Sequence, residues 1–268
     1  MKRDGPGGRV YPFTDYDRES VTTILKNVPK EPLTNWTAKL VAERAVHKEN
    51  TWHAIQKEHD TEAARKWVSA AGRDVRDTSG MFGSAVHHLC EHFDNLDDPD
   101  VESKFEWFIA QIELMMARAH EDVRDVRADV WRAYHHFASH LPSVDPWRRE
   151  CVVYTDDYAG TCDLLAYKPS IGLGLVDYKT SRSIWPSHAA QASAYAKADT
   201  IAKDVNGVNV KDVSMPDICW CEIWHIRPDG LAVHEVDIEA GYRLFLAALE
   251  MRDALRRKCF LPEEGQSG

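Results

Sequence analysis

Near residue 150 the hydrophobic period of this chain changes, and the change divides what it can fold into. Before it, the segments 36–48, 61–71, 80–96 and 101–141 carry apolar residues at spacings of three and four with charges between them, the pattern of amphipathic helices. After Arg149 the apolar runs shorten to 151–155, 161–167, 173–180, 218–226 and 231–238. Turn-forming stretches such as Lys168-Pro169-Ser170-Ile171-Gly172 and Arg227-Pro228-Asp229-Gly230 divide them, as turns divide strands. Helical spacing returns over 186–203 and 239–257. The predicted order is three strands, a helix, two strands and a helix, an α/β arrangement with an antiparallel start and room for one crossover. A helical lobe over 1–148, an α/β core over 149–260 and a loose tail over 261–268 complete the expected organisation. The longest helical segment is expected to break over 119–127, where the charge-dense run from His120 to Asp125 reads as a solvated face.

With 268 residues, 44% of them hydrophobic, the chain can bury a full core in one large domain or in a core plus a lobe. A formal net charge of −10 argues against a protein coated in basic surface for nucleic acid, but leaves room for a local groove in which cations offset carboxylates. The opening residues hold no apolar leader, and no run of about 18 apolar residues occurs, so a soluble, cytoplasmic protein is expected. Six cysteines without a CxxC pair suggest reduced thiols. Cys219 and Cys221, two apart, are expected to pack on one face of a strand rather than bind metal.

Charge appears where a strand should be apolar. Asp163 lies within Gly160-Thr161-Cys162-Asp163-Leu164-Leu165-Ala166, and Asp177 and Lys179 lie within Leu175-Val176-Asp177-Tyr178-Lys179. Such charges are costly unless paired or used. Alternation puts Asp177 and Lys179 on one face, and pairing with the preceding strand brings Asp163 beside them. Two readings fit this pattern. One is a buried ion pair. The other is a phosphodiester-hydrolysing centre, in which carboxylate oxygens hold Mg²⁺ or Mn²⁺ and the lysine orients water or steadies developing charge.

Taken with Thr180-Ser181, Gln191 and Tyr195 downstream and Gly83-Ser84-Ala85-Val86-His87 upstream, these blocks resemble the RecB-like branch of the PD-(D/E)XK nuclease superfamily, including phage-encoded exonucleases related to CRISPR-associated nucleases. The resemblance covers roughly residues 80–200. It implies a restriction-endonuclease-like core, a mixed central sheet flanked by helices, to which the lobe contributes the GxxxH helix over 80–96. It further implies that Asp163, Asp177 and Lys179 are catalytic, that His87, Asp163, Asp177 and the carbonyl of Tyr178 surround the metal, and that Gln191 and Tyr195, sharing a helix face, orient the site or contact DNA. Asp177 stands where many members have Glu.

Softer candidates surround this set. Glu91 and Glu150 extend the metal shell or form surface pairs, and Ser20 caps a helix whose N-terminus faces phosphate. Arg182, Lys197 and Lys203 contact phosphate or serve solubility. Trp36 and Trp185 stack on bases or pack in the core. With no cysteine before Cys90 and only Cys259 near the end, an iron-sulphur cluster lacks ligands, and no P-loop is present. The resemblance therefore leads us to expect a metal-dependent deoxyribonuclease, an exonuclease on linear DNA with free ends in phage recombination or end processing, working beside a single-strand annealing or recombination protein. A structure-selective endonuclease, or a DNA-end-binding accessory protein without activity, are the alternatives.

Overall fold

The computed structural model describes residues 3–5, 8–28, 31–121 and 125–257. The expected tail over 261–268 lies outside the described residues. Two short strands, β1 (Arg3–Gly5) and β2 (Gly8–Tyr11), and a third, β3 (Arg18–Glu19), form a small antiparallel sheet. Helices follow: α1 (Val21–Ile24), α2 (Glu31–His47), α3 (Glu49–Glu58), α4 (Thr61–Ser69), α5 (Ala71–Glu91), α6 (Pro99–Arg118) and α7 (Val126–His140). Then come β4 (Asp145–Tyr154), β5 (Ala159–Lys168), β6 (Gly172–Lys179), α8 (Pro186–Ala196), β7 (Thr200–Val205), β8 (Val208–Ser214), β9 (Trp220–Arg227), β10 (Gly230–Glu235) and α9 (Ile238–Arg256). No helix among the described residues is long and apolar enough to cross a membrane.

The last seven strands make one mixed sheet in the order β10-β9-β6-β5-β4-β7-β8. Its centre is the antiparallel meander β4-β5-β6, and β6 then pairs in parallel with β9, so the chain must cross over between them and does so partly through α8. The chain is thus α/β, with a large mixed sheet flanked by helices. Two apolar clusters lie against it. Leu164, Ala166, Val176, Tyr178 and Trp224 pack with Val86, Leu89, Ile112 and Phe137 of α5, α6 and α7. Leu165, Leu175, Cys162 and Cys221 pack with Ala194 and Tyr195 of α8, Phe245 of α9, and Val21 and Ile24 of α1.

Several expectations need correction. The helix expected over 186–203 ends at Ala196, and Thr200–Val205 is a strand. Its hairpin partner β8 follows the turn Asn206-Gly207, where both φ angles are positive (54° and 84°), as the tightest right-twisting hairpins require. Residues 8–28 do not join the helices that follow them. Val21, Ile24 and Leu25 pack in the α8/α9 cluster, and bridges Ser20↔Ala159 and Phe13↔Asn209 tie this segment to the large sheet. The expected lobe is thus helical from α2 onward, while the segment ahead of it belongs to the sheet.

Cys219 lies exposed ahead of β9, while Cys221 is buried on it. The pair therefore does not share a packed face. Within the charge-dense run at 120–125, Glu121 is no free solvated charge. Its carboxylate lies 3.2 Å from the buried Arg44 guanidinium, which also meets Asp74 at 2.6 Å. Residues 122–124 lie outside the described part of the chain.

Candidate active site

The ladder between β5 and β6 ends at Leu164↔Val176. Beyond that point the outer neighbours stay paired, Cys151↔Cys162 on one side and Asp177↔Ile223 on the other, so the two central strands part from each other. A backbone N–H exposed by such a parting needs an acceptor. The Asp163 carboxylate supplies it, taking the Tyr178 N–H on Oδ2 at 2.6 Å. The apolar sequence of both strands builds the sheet, and the one carboxylate in β5 sits where the sheet opens.

Opposite Asp163 stands Glu150, as the register on either side, Arg149↔Leu164 and Cys151↔Cys162, requires. Glu150 has a left-handed backbone, φ 45°, which is uncommon and costly for a residue other than glycine, Asn or Asp. Alternation is broken here too: Cys162 and Leu164, two apart, pack in opposite clusters. The irregularity brings Glu150 together with Asp163 and with His87, which arrives from α5, and the three offer ligand atoms within 4.8 Å of one another. His87 Nδ1 is 3.6 Å from Asp163 Oδ1.

Gly83 makes that arrival possible. A Cβ on it would come within 2.7 Å of Thr180 Oγ1, so a larger residue would hold α5 away from the end of β6, and His87 lies one helical turn further along. The Gly83–His87 spacing is therefore a close helix-to-strand approach followed by a delivered imidazole.

Asp177 is buried, and α8 covers it. Gln191 Nε2 donates to Asp177 Oδ1 at 3.2 Å and to Tyr195 Oη at 3.0 Å. The Lys179 ammonium contacts Asp177 Oδ2 and lies 3.4 Å from the Tyr178 carbonyl. Oδ2 is fully buried and is met by the Lys179 ammonium, while Gln191 takes the other oxygen of the same carboxylate. Burial pushes the Asp177 carboxyl up to about 6, with Asp163 acting in the same direction and Lys179 against it. Burial also acts to raise Asp163, but His87, Lys179 and the Tyr178 N–H outweigh it and hold that carboxyl low. Burial disfavours the His87 cation, yet the Asp163 charge outweighs it and raises the imidazole. Two carboxyls a few residues apart in space are thus driven in opposite directions, as at sites that divide labour between them.

A cleft of about 780 Å³ opens over this group, lined among others by His87, Glu91, Glu150, Asp163, Tyr178 and Lys179. Gln191 and Tyr195 form its floor. The sequence reading missed Arg9 and Tyr11 of β2 and Lys104 and Phe108 of α6, which also line it. Tyr11 Oη bonds Thr161 Oγ1 at 2.8 Å. Arg9 and Lys104 place positive charge beside an acidic centre in a chain of net charge −10.

Other candidates fall elsewhere. Ser20 caps α1, accepting the Thr23 N–H at 3.0 Å, but it is buried, its hydroxyl is held by Thr22 and Thr23, and the helix is a single turn. It does not face the cleft, which Thr22 lines instead. Lys197 pairs with Glu239 on α9, and Lys203, on β7, lies 3.9 Å from Asp212. Arg182 and Trp185 are exposed in the segment after β6. Trp36 is half-buried on α2.

A residue needed for the floor is Gly160. A Cβ there would sit 2.1 Å from Tyr195 Cε1, inside the ring's own volume. Gly160→Ala is expected to cost about 1–3 kcal/mol through forced repacking. Urea denaturation checks this, and a Tyr195→Leu background should recover part of the loss; full stability in Gly160→Ala alone would contradict the packing described.

The family models contain no match to the chain, and no curated protein matches it.

Proposed function

We propose that this chain is a divalent-metal-dependent DNA nuclease with a PD-(D/E)XK core of the RecB-like kind, acting as an exonuclease on linear DNA. The observation that carries the reading is the meeting of His87, Glu150 and Asp163 in one cleft, backed by Asp177 and Lys179, at the point where two central strands part. The mixed sheet flanked by helices is compatible with such a core.

The donor set fits a metal. Three oxygen or nitrogen ligands stand within 4.8 Å of one another. Carboxylates suit Mg²⁺, while the imidazole favours Mn²⁺. When bound, such an ion supplies Lewis acidity to the phosphoryl oxygen and acidifies nearby water. The protein's own groups do the rest. His87, Glu150 and Asp163 would hold the ion from three separate elements, and Gln191 fixes the Asp177 carboxylate through Oδ1. Lys179, whose ammonium stands against Asp177 Oδ2, is placed to steady charge that develops on the phosphate, and Asp177 would be a further carboxylate for the ion. The Tyr178 carbonyl, already aimed at Lys179, is a further oxygen for the ion. Arg9 and Lys104 take the phosphates that flank the scissile one.

The biological setting that suits this reading is phage DNA recombination or end processing in the cytoplasm, with DNA ends as the substrate and a single-strand annealing or recombination protein as companion. The test uses end-labelled linear and covalently closed circular DNA, single- and double-stranded, with Mg²⁺, Mn²⁺ or EDTA. Loss of linear DNA alone, abolished by EDTA and by His87→Ala, is the expected result. Cutting of circles would make the enzyme an endonuclease, and no cleavage under any condition would sink the enzymatic reading in favour of a DNA-end-binding role.

A further inference from the structure

Beginning with the residue after His87, the last turn of α5 and its cap carry a second group of donors. His88, Glu91 and His92 offer ligand atoms within 4.8 Å of one another. The two imidazoles are four residues apart at the end of a helix, their ring centroids 4.6 Å apart, with the carboxylate between them in sequence. Histidines four apart on a helix, with an acidic residue near them, form a pattern by which proteins hold zinc.

The second shell is already built. A metal-bound imidazole characteristically donates its other ring N–H to a carbonyl or carboxylate, which fixes its tautomer and aims its lone pair. His88 Nε2 lies 3.0 Å from the Val101 carbonyl and His92 Nδ1 lies 2.9 Å from the His88 carbonyl. A carbonyl only accepts, so each of these nitrogens carries a proton; in the neutral rings that metal binding requires, Nδ1 of His88 and Nε2 of His92 are then the lone pairs, with Glu91 Oε2 3.9 Å from His92 Nδ1. The turn that bears them is clamped as well. Arg149 Nη1 donates to the Glu91 carbonyl at 2.8 Å and to Asp94 at 2.7 Å. Both His88 and Glu91 open on the cleft, so an ion can enter.

We infer that His88, Glu91 and His92 form a second metal site for a borderline transition ion of the Zn²⁺ class, distinct from the carboxylate-rich centre around Asp163. Two nitrogens and one oxygen select against Mg²⁺ and for Zn²⁺ or its spectroscopic substitute Co²⁺. With three protein ligands, the site keeps a position open toward the cleft. It also braces α5 against α6 through the His88–Val101 bond, one residue from His87. This site does not depend on the chain being a nuclease: it uses none of His87, Glu150, Asp163, Asp177 and Lys179, and Glu91, which the sequence left between the first metal's shell and a surface pair, falls to it.

The test is a Co²⁺ titration of metal-stripped full-length protein in a His87→Ala/Asp163→Asn background, which silences the other centre. A single equivalent of Co²⁺ with a visible absorption band, displaced by Zn²⁺ and untouched by millimolar Mg²⁺, is expected. His92→Gln should weaken Co²⁺ by at least about 10–100-fold, the loss typical even of outer-shell partners. In His88→Gln the amide can still donate to Val101, so the fold is kept while the ligand is lost, and circular dichroism verifies that. No Co²⁺ band in the silenced background, or a His92→Gln protein that titrates like its parent, would overturn the site.

Discussion

Lys179→Ala is expected to lower metal-dependent DNA cleavage by about 10²–10⁴-fold, the range seen when a proton-handling or charge-stabilising group is removed. The ammonium stands at the mouth of the strand gap, against Asp177 and 3.4 Å from the Tyr178 carbonyl, with the cleft beside it. Asp163 is held by the Tyr178 N–H, His87 is carried by α5 and Glu150 by β4, so their placement does not run through the ammonium. DNA affinity and Mn²⁺ binding should therefore change far less than the rate. The measurement is single-turnover cleavage beside Mn²⁺ calorimetry. A rate within a few-fold of the parent would reduce Lys179 to a counter-ion for Asp177, and a parallel loss of Mn²⁺ binding would show that it shapes the metal shell instead.

Trp224→Ala is expected to cost about 3–5 kcal/mol of folding stability. Trp224 is fully buried where the sheet meets α7, with ring centroids 4.7 Å from His140 and 6.0 Å from both Phe137 and Tyr178. Its indole N–H is donated to Glu222 Oε2 at 3.0 Å, and Glu222 is itself buried and paired with Lys168. Truncation leaves a ring-sized void and takes a donor from a buried carboxylate, two losses that add. Urea denaturation should show a lower midpoint with an unchanged slope. Trp224→Phe keeps most of the volume and should cost less. A loss below about 1 kcal/mol in Trp224→Ala would mean that the helices rest on the sheet by other contacts.

The centre of the site was legible because burying charge is expensive. Asp163 and Asp177 stood out in apolar strands, while the Gly83–His87 element was singled out by the resemblance, and its close approach to Thr180 comes from the fold. Gln191 and Tyr195, four apart, could be placed on one helix face, and they meet through a hydrogen bond. What was not legible depends on register. Glu150 could be named as a candidate but not told from a surface acid, and it is the positive φ opposite Asp163 that brings it beside His87. Arg9 and Tyr11 lie in a strand of four residues, too short to show a period. The hairpin at Asn206-Gly207 did carry its turn signal, but the alanine-rich pattern before it masked where the helix stopped. The three donors at the end of α5 were visible in sequence, while the carbonyls that fix their tautomers come from the fold.

The strap made by residues 8–28 has a consequence for the order of assembly. Tyr11 meets Thr161 across 150 positions of sequence, and Pro12 meets Asn209 across 197. Contacts so distant along the chain carry a large closure entropy and form late. During synthesis this early segment must wait, its apolar Val21, Ile24 and Leu25 without their partners, until strands made much later are in place. The helices from α2 to α7 can consolidate locally in the meantime. The wall of the cleft that carries Arg9 and Tyr11 therefore closes only after the strands it rests on have paired.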